Sequence, residues 1–275
     1  MNGAVFLESH LVSVLILLTN DDGVYAPGLA AMGQALQRLG EVYVVAPATE
    51  QSGVGHAITY LTPLIVKQLC DHDARPGTVG RRWAVQGSPA DCVKIGITRF
   101  CPRQPDLVVS GINAGLNAGI NVLYSGTVAA AIEGAFFGVT SMAVSLERAA
   151  AAVNELDQFA KAADLAASII EQILNKKGPE AQLYNLNIPT AALGGPAAVC
   201  AVPMNVIRYG DSFEKRTDPW GRDYYWFSGG PPESAPGHET DLSALAKGRI
   251  TLTPLDYDLT RRAALAAMEQ WRFNL

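Results

Sequence analysis

Positive charge and cysteine are both scarce in this chain. Its 275 residues carry 21 Lys plus Arg against 26 Asp plus Glu, a formal net charge of -5. There is no dense Lys/Arg run, which argues against a nucleic-acid polymer as partner, although a small nucleotide needs only a local site. The four cysteines, Cys70, Cys92, Cys101 and Cys200, show no CxxC spacing, so free structural thiols in a cytoplasm are the expectation. The first basic residue is Arg38, and Glu8 stands before it, so the segment ahead of Leu11 lacks the positive start of a secretory signal. No apolar run nears the roughly 20 residues that span a bilayer, so no membrane partner is expected. HExxH, GxSxG and GxxxxGK[ST] are all missing. His10, His72 and His238 have no partner at metal-ligand spacing, which argues against a histidine-built zinc site.

What is present is an α/β pattern. Val14–Leu18, Val42–Ala46 and Leu107–Ser110 are short apolar runs, each ending in a loop of Gly, Pro, Asn, Asp or Ser, as parallel strands buried on both faces do. Leu29 to Leu39 has helical spacing, with Pro27 suited to its first turn and Gly40 to its stop. Further helices are expected over 127–137 and 156–174, with strands over 142–146 and 184–188. After about Pro189, strand-like runs at 199–203, 224–228 and 249–254 are joined by polar loops, which predicts antiparallel pairing, and 261–271 reads as a terminal helix. The expected organisation is one α/β domain: an extension at 1–13, a core over 14–190, and a β-rich part with its helix over 191–275. The edges of that last part call for cover by another subunit.

Asp21 and Asp22 lie where the first strand finishes, the place where open α/β sheets keep their chemistry. Adjacent acids repel unless a cation or proton compensates them, so the pair reads either as one end of a divalent metal site or as an Asx turn with Asp22-Gly23 at its tip. The segment Ser110-Gly-Ile-Asn-Ala-Gly-Leu-Asn-Ala-Gly-Ile-Asn121 repeats Gly-x-Asn three times. As a loop after a strand, it would offer backbone N–H groups to an anion and neutral amides to a metal or phosphate; the alternative is a helix packed closely through its glycines. Ser125 or Thr127 can cap the helix that follows, whose free N–H groups suit a phosphate or need no ligand at all. In the loop after the second strand, Ser52 could complete a metal shell, and His56 reads as a proton donor or as a hydrogen-bonded loop residue. Asp91 fits a helix start without further function. The oxygen set Asp21, Asp22, Ser52 and Asn113 favours magnesium, manganese or calcium.

Taken in order, Leu-Leu-Thr-Asn-Asp-Asp-Gly-Val-Tyr-Ala-Pro-Gly-Leu, Val-Ala-Pro-Ala-Thr-Glu-Gln-Ser-Gly, Gly-Ser-Pro-Ala-Asp-Cys-Val, Ser-Gly-Ile-Asn-Ala-Gly-Leu-Asn and Tyr-Ser-Gly-Thr-Val-Ala-Ala-Ala-Ile-Glu-Gly resemble the SurE family of metal-dependent nucleotidases. Asp-Pro-Trp-Gly-Arg and Glu-Thr-Asp-Leu extend the resemblance, which runs from Val14 to Leu259. It implies a Rossmann-like core with helices on both faces, and a homodimer or homotetramer with exchanged C-terminal elements. It also implies hydrolysis of nucleoside monophosphates, with Mg2+ or Mn2+ held by Asp21, Asp22, Ser52 and Asn113. Asn117 and the turn Ser125-Gly126-Thr127 would then lie against the phosphate. Tyr25 stands where many members carry His, which removes that histidine as an acid or base, and Ser88 stands where Thr is commoner. Direct attack by water is the expected reaction. An aspartyl-phosphate route through Asp21, a nucleotide sensor without turnover and a nucleoside hydrolase are the alternatives.

Overall fold

The apolar runs build one nine-stranded sheet, seen in a computed structural model that describes residues 13–70, 80–148, 154–207, 212–228 and 237–273. Six strands run parallel at its centre: β1 (Val14–Thr19), β2 (Gly40–Pro47), β4 (Arg81–Gln86), β5 (Leu107–Ala114), β6 (Thr140–Leu146) and β7 (Leu183–Ile188). Their spatial order is β4-β2-β1-β5-β6-β7. β3 (Ile65–Leu69) adds antiparallel to β4, and β11 (Ile250–Leu255) adds antiparallel to β7. β8 (Val199–Ala201) closes that edge.

Side chains on β1 show why the runs are continuous rather than alternating. Ile16 and Leu18 pack against α1 (Pro27–Leu36) and α4 (Glu155–Lys176), while Leu15 and Leu17 face α2 (Pro89–Ile95) and α3 (Gly126–Phe136). A strand with helices on both faces must be apolar at every position. The fold is therefore α/β, doubly wound, with the chain moving from β1 outward through β2 and then crossing back to β5 on the other side. The crevice between the carboxyl ends of β1 and β5 is the switch point where such sheets bind ligands.

Several local readings change. Gly40 does not stop α1, which ends at Leu36 and is followed by Gln37 in helical conformation. It opens β2, where a Cβ would lie 1.9 Å from the carbonyl oxygen of Val14; strand contact, not helix capping, demands glycine there. The Gly/Asn segment starts as strand, because β5 continues to Ala114 with a register shift between Ser110 and Asn113. Gly111 takes φ +140°, and a Cβ on it would meet the Val144 carbonyl oxygen at 2.3 Å. The C-terminal part is not uniformly antiparallel: β8 runs parallel to β11, and only β9 (Phe213–Thr217) and β10 (Asp223–Phe227) form an antiparallel hairpin of their own. A short helix, α5 (Asp241–Leu245), stands where only loop was expected, and α6 (Arg262–Met268) is the terminal helix. Residues 1–12, with His10, and His72 lie outside the described residues. Among the described residues, no helix is long and apolar enough to cross a membrane.

Candidate active site

The turn after β1 is built to present Asp21 and Asp22. Asn20 donates through Nδ2 to the Gly23 carbonyl oxygen at 3.0 Å, and Gly23 takes φ +98°, a conformation that favours glycine. Val24 N–H donates to Pro47 O at 2.8 Å and Gln51 N–H to Asp21 O at 2.8 Å, so the loops after β1 and β2 are tied to each other. They line a cavity of about 540 Å³, together with Asn113 near the end of β5, Asn117 and Asn121 from the stretch beyond it, and Tyr124 and Ser125 at the approach to α3.

Asp21 is buried, and its Oδ1 accepts the Thr127 hydroxyl at 2.5 Å. Asp22 Oδ2 accepts the Ala114 N–H at 3.1 Å. Burial raises the Asp21 pKa to about 6, with the neighbouring Asp22 carboxylate adding to the shift; burial also raises that of Asp22. The described cavity lining contains four carboxylates, Asp21, Asp22, Glu50 and Glu155, against one cationic side chain, Arg148. That imbalance is the environment in which a divalent cation is favourable. The neutral donors are arranged to match. Asn113 Nδ2 donates to the Gly115 carbonyl at 2.8 Å, which leaves the amide oxygen as the group it offers the cavity. Ser52 gives its hydroxyl hydrogen to Glu50 Oε1 at 2.6 Å and keeps its oxygen lone pairs. Two carboxylates with neutral oxygens form a hard donor set suited to magnesium or manganese.

The helix start is equally specific. Ser125 Oγ accepts the Val128 N–H at 3.1 Å and so is the N-cap, settling which of Ser125 and Thr127 caps α3. Thr127 is spent on Asp21 instead. A Cβ on Gly126 would lie 3.0 Å from Asp21 Oδ2, so glycine lets the first turn of α3 come up against the acid pair. Asn117 is clamped by two residues of β7: its N–H donates to Asn187 Oδ1 at 2.8 Å, and its carbonyl accepts from Asn185 and Asn187 at 2.7 and 3.0 Å. Its own Nδ2 donates to Ser145 Oγ at 2.9 Å.

Asp21, Asp22, Ser52, Asn113, Asn117 and Ser125 thus line one cavity, with Gly126 and Thr127 packed directly behind Asp21. His56 does not line it. Its Nε2 lies 2.8 Å from Glu133 Oε2, and its ring stacks on Phe136, which fits the reading as a hydrogen-bonded loop residue. Asp91 closes a capping box with Ser88, as its position at a helix start implied. Trp220, Tyr224 and Tyr225 sit on the exposed hairpin, away from the cavity. Sequence reasoning missed Glu50 and Arg148 in the lining and Asn185 and Asn187 behind it. The alternation Asn-Leu-Asn inside an apolar strand was the available signal, since buried amides on one strand face need partners.

The fold and this cavity define a doubly wound α/β protein with an acidic, oxygen-lined site at its switch point, backed by a helix N-terminus. A family model, survival protein SurE, matches residues 16–209. The 5'-nucleotidase SurE of Rhodopirellula baltica is 56% identical over 260 residues, covering 94% of this chain and 99% of its own. The 5'-nucleotidase SurE of Desulforudis audaxviator is 42% identical, covering 93% and 96%. The crystal structure of the SurE protein from Aquifex aeolicus superposes with a TM-score of 0.78 at 34% identity, covering 93% of this chain and 98% of that one. The chain belongs to the SurE family.

Proposed function

We propose that this protein is a divalent-metal-dependent phosphatase that hydrolyses nucleoside monophosphates to nucleoside and phosphate by direct attack of water. The observation that carries the reading is the meeting, in one cavity where carboxylates outnumber cations, of an acid pair, two neutral oxygen donors and the start of α3. Relatives named 5'-nucleotidase across nearly the whole chain support the substrate class. Asp21, Asp22, Ser52 and Asn113 would hold Mg2+ or Mn2+, and the ion would supply Lewis-acid polarisation of the phosphoryl group and a water of lowered pKa.

The chain's own groups do the rest. The N–H groups in the first turn of α3 have no partner inside the helix and favour negative charge beside them. Asn117 presents a side-chain amide bonded to Ser145, on a backbone held by the two asparagines of β7. Such preorganised donors stabilise charge as water adds to phosphorus opposite the ribose oxygen and the bond from phosphorus to that oxygen breaks. Asp21 is a poor nucleophile here, because its Oδ1 is committed to Thr127. In single turnover in 18O-labelled water, label should appear in released phosphate and not first in an enzyme carboxylate. The decisive test of function is phosphate release from a panel of nucleoside monophosphates with Mn2+ or Mg2+; tight binding without release would favour a sensor, and release of free base a nucleoside hydrolase.

We also place the chain in a homo-oligomer, a homodimer or homotetramer. Every residue of β9 and β10 is exposed, Phe213, Tyr224, Tyr225, Trp226 and Phe227 among them, and α6 buries none of its residues. A lone hairpin of two strands is marginal without cover. Four free cysteines support a reducing compartment, the cytoplasm.

A further inference from the structure

Glu133 is a carboxylate the proposed chemistry does not use, yet its side chain is only 4% exposed. It lies on α3, about two turns beyond the Ser125–Thr127 start of the same helix. Its Oε2 is 2.8 Å from His56 Nε2 and its Oε1 accepts Lys94 Nζ at 3.1 Å. His56 belongs to the loop that carries Ser52. That loop turns at Gly53 and Gly55, both at positive φ (+71° and +58°), and a Cβ on Gly53 would meet nothing within 4 Å. Such a segment has little stiffness of its own. Around these glycines, backbone N–H groups tether it from Gln51 to Asp21 O, from Gly55 to Tyr124 O, and from Thr59 to the Asp91 carboxylate. The His56 contact joins a side chain of this loop to a side chain of α3, and Phe136 stacking on the ring fixes its plane.

We infer that His56 and Glu133 form a positioning clamp, which fixes Ser52 at the cation site from the same helix whose first turn faces the phosphate. Neither residue touches substrate. Their work is to hold one oxygen donor in register with Asp21, Asp22 and Asn113, as partners behind a ligand commonly do. Lys94 keeps the buried Glu133 charge compensated, so removing His56 loosens the loop without leaving an unpaired carboxylate.

The inference rests on the proposed metal-dependent reading, and the test separates the two. Manganese binding by calorimetry, hydrogen exchange of residues 50–60 without metal, and phosphate release are measured for the wild type and for His56→Ala, His56→Gln and Glu133→Gln. Absent manganese binding and phosphate release in the wild type would overturn the metal-dependent reading itself. With the wild type active, His56→Ala should bind manganese about 10-fold more weakly, exchange faster in 50–60 alone, and recover its kcat at saturating metal. His56→Gln, whose amide nitrogen can still reach Glu133, should restore most of the affinity. Where Glu133→Gln fails to fold, the His56 pair carries the test. Manganese affinity within twofold of the wild type in His56→Ala, or an equal loss in His56→Gln, overturns the clamp.

Discussion

At the scale of single residues, Asp21 is the most telling group, because burial holds its carboxyl at a pKa of about 6 against an ordinary 3.8. A folded-state pKa raised above the unfolded one means that folding takes up a proton. Its contribution to stability is fully present below pH 3.8 and is lost as pH rises through about 6. The shift corresponds to ~3 kcal/mol. In chelator, the wild type should lose up to that amount relative to Asp21→Asn between pH 4 and 7, read by chemical unfolding, and excess Mn2+ should restore it at pH 7. A pH-independent difference would contradict the assignment. Thr127→Val should weaken manganese binding more at pH 6 than at pH 8, since the Thr127 hydroxyl does most, ahead of two backbone N–H groups, to hold the Asp21 pKa down. The residues that emerge from strand ends, Asp21, Asp22, Ser52 and Asn113, were legible because turn chemistry after an apolar run marks them. Arg148 was not, because nothing local distinguishes an arginine after β6 from a solvated one; only the fold brings it to the rim.

At the scale of elements, α3 joins structure to chemistry. Its alanine-rich sequence predicted a helix, and its small residues let it approach the sheet closely: a Cβ on Gly134 would lie 2.5 Å from Ser141 Oγ and 2.9 Å from Val108 Cβ. Gly134→Ala should therefore destabilise by about 1–3 kcal/mol, seen as a lower unfolding midpoint in denaturant. Ser125→Ala removes the cap and should cost ~1 kcal/mol while also raising KM for the nucleotide, a split that distinguishes it from Gly134→Ala. The loop reading of the Gly/Asn repeat was half right. Ser110 to Ala114 is strand, because β6 supplies hydrogen-bonding partners that local propensity cannot foresee, whereas the stretch from Gly115 onward leaves the sheet. The antiparallel expectation for the C-terminal part holds for β9–β10 and for β11 on β7 but not for β8, since pairing direction depends on which edge so short a strand reaches.

At the scale of the whole molecule, the sheet's order places both loops of the acid site at the one crevice where helix layers change sides, so the location of the site follows from topology. The parallel core was legible, because the succession of strand and helix implied a parallel sheet and the motif order implied the family, but the spatial order of the strands was not. The edge partners β3, β8 and β11 were not legible, because short amphipathic strands carry no signal of their neighbour. The exposed aromatics of β9 and β10 belong to this scale too, and sedimentation should find two or four chains associated, with a monomer at micromolar concentration contradicting the proposed assembly. The central claim is tested most directly by phosphate release from nucleoside monophosphates, measured with Mn2+, with chelator, and for Asp22→Asn in excess Mn2+. The account predicts turnover that chelation abolishes and that Asp22→Asn lowers by at least ~100-fold with the fold intact. Undiminished release in chelator, or by Asp22→Asn, would contradict it.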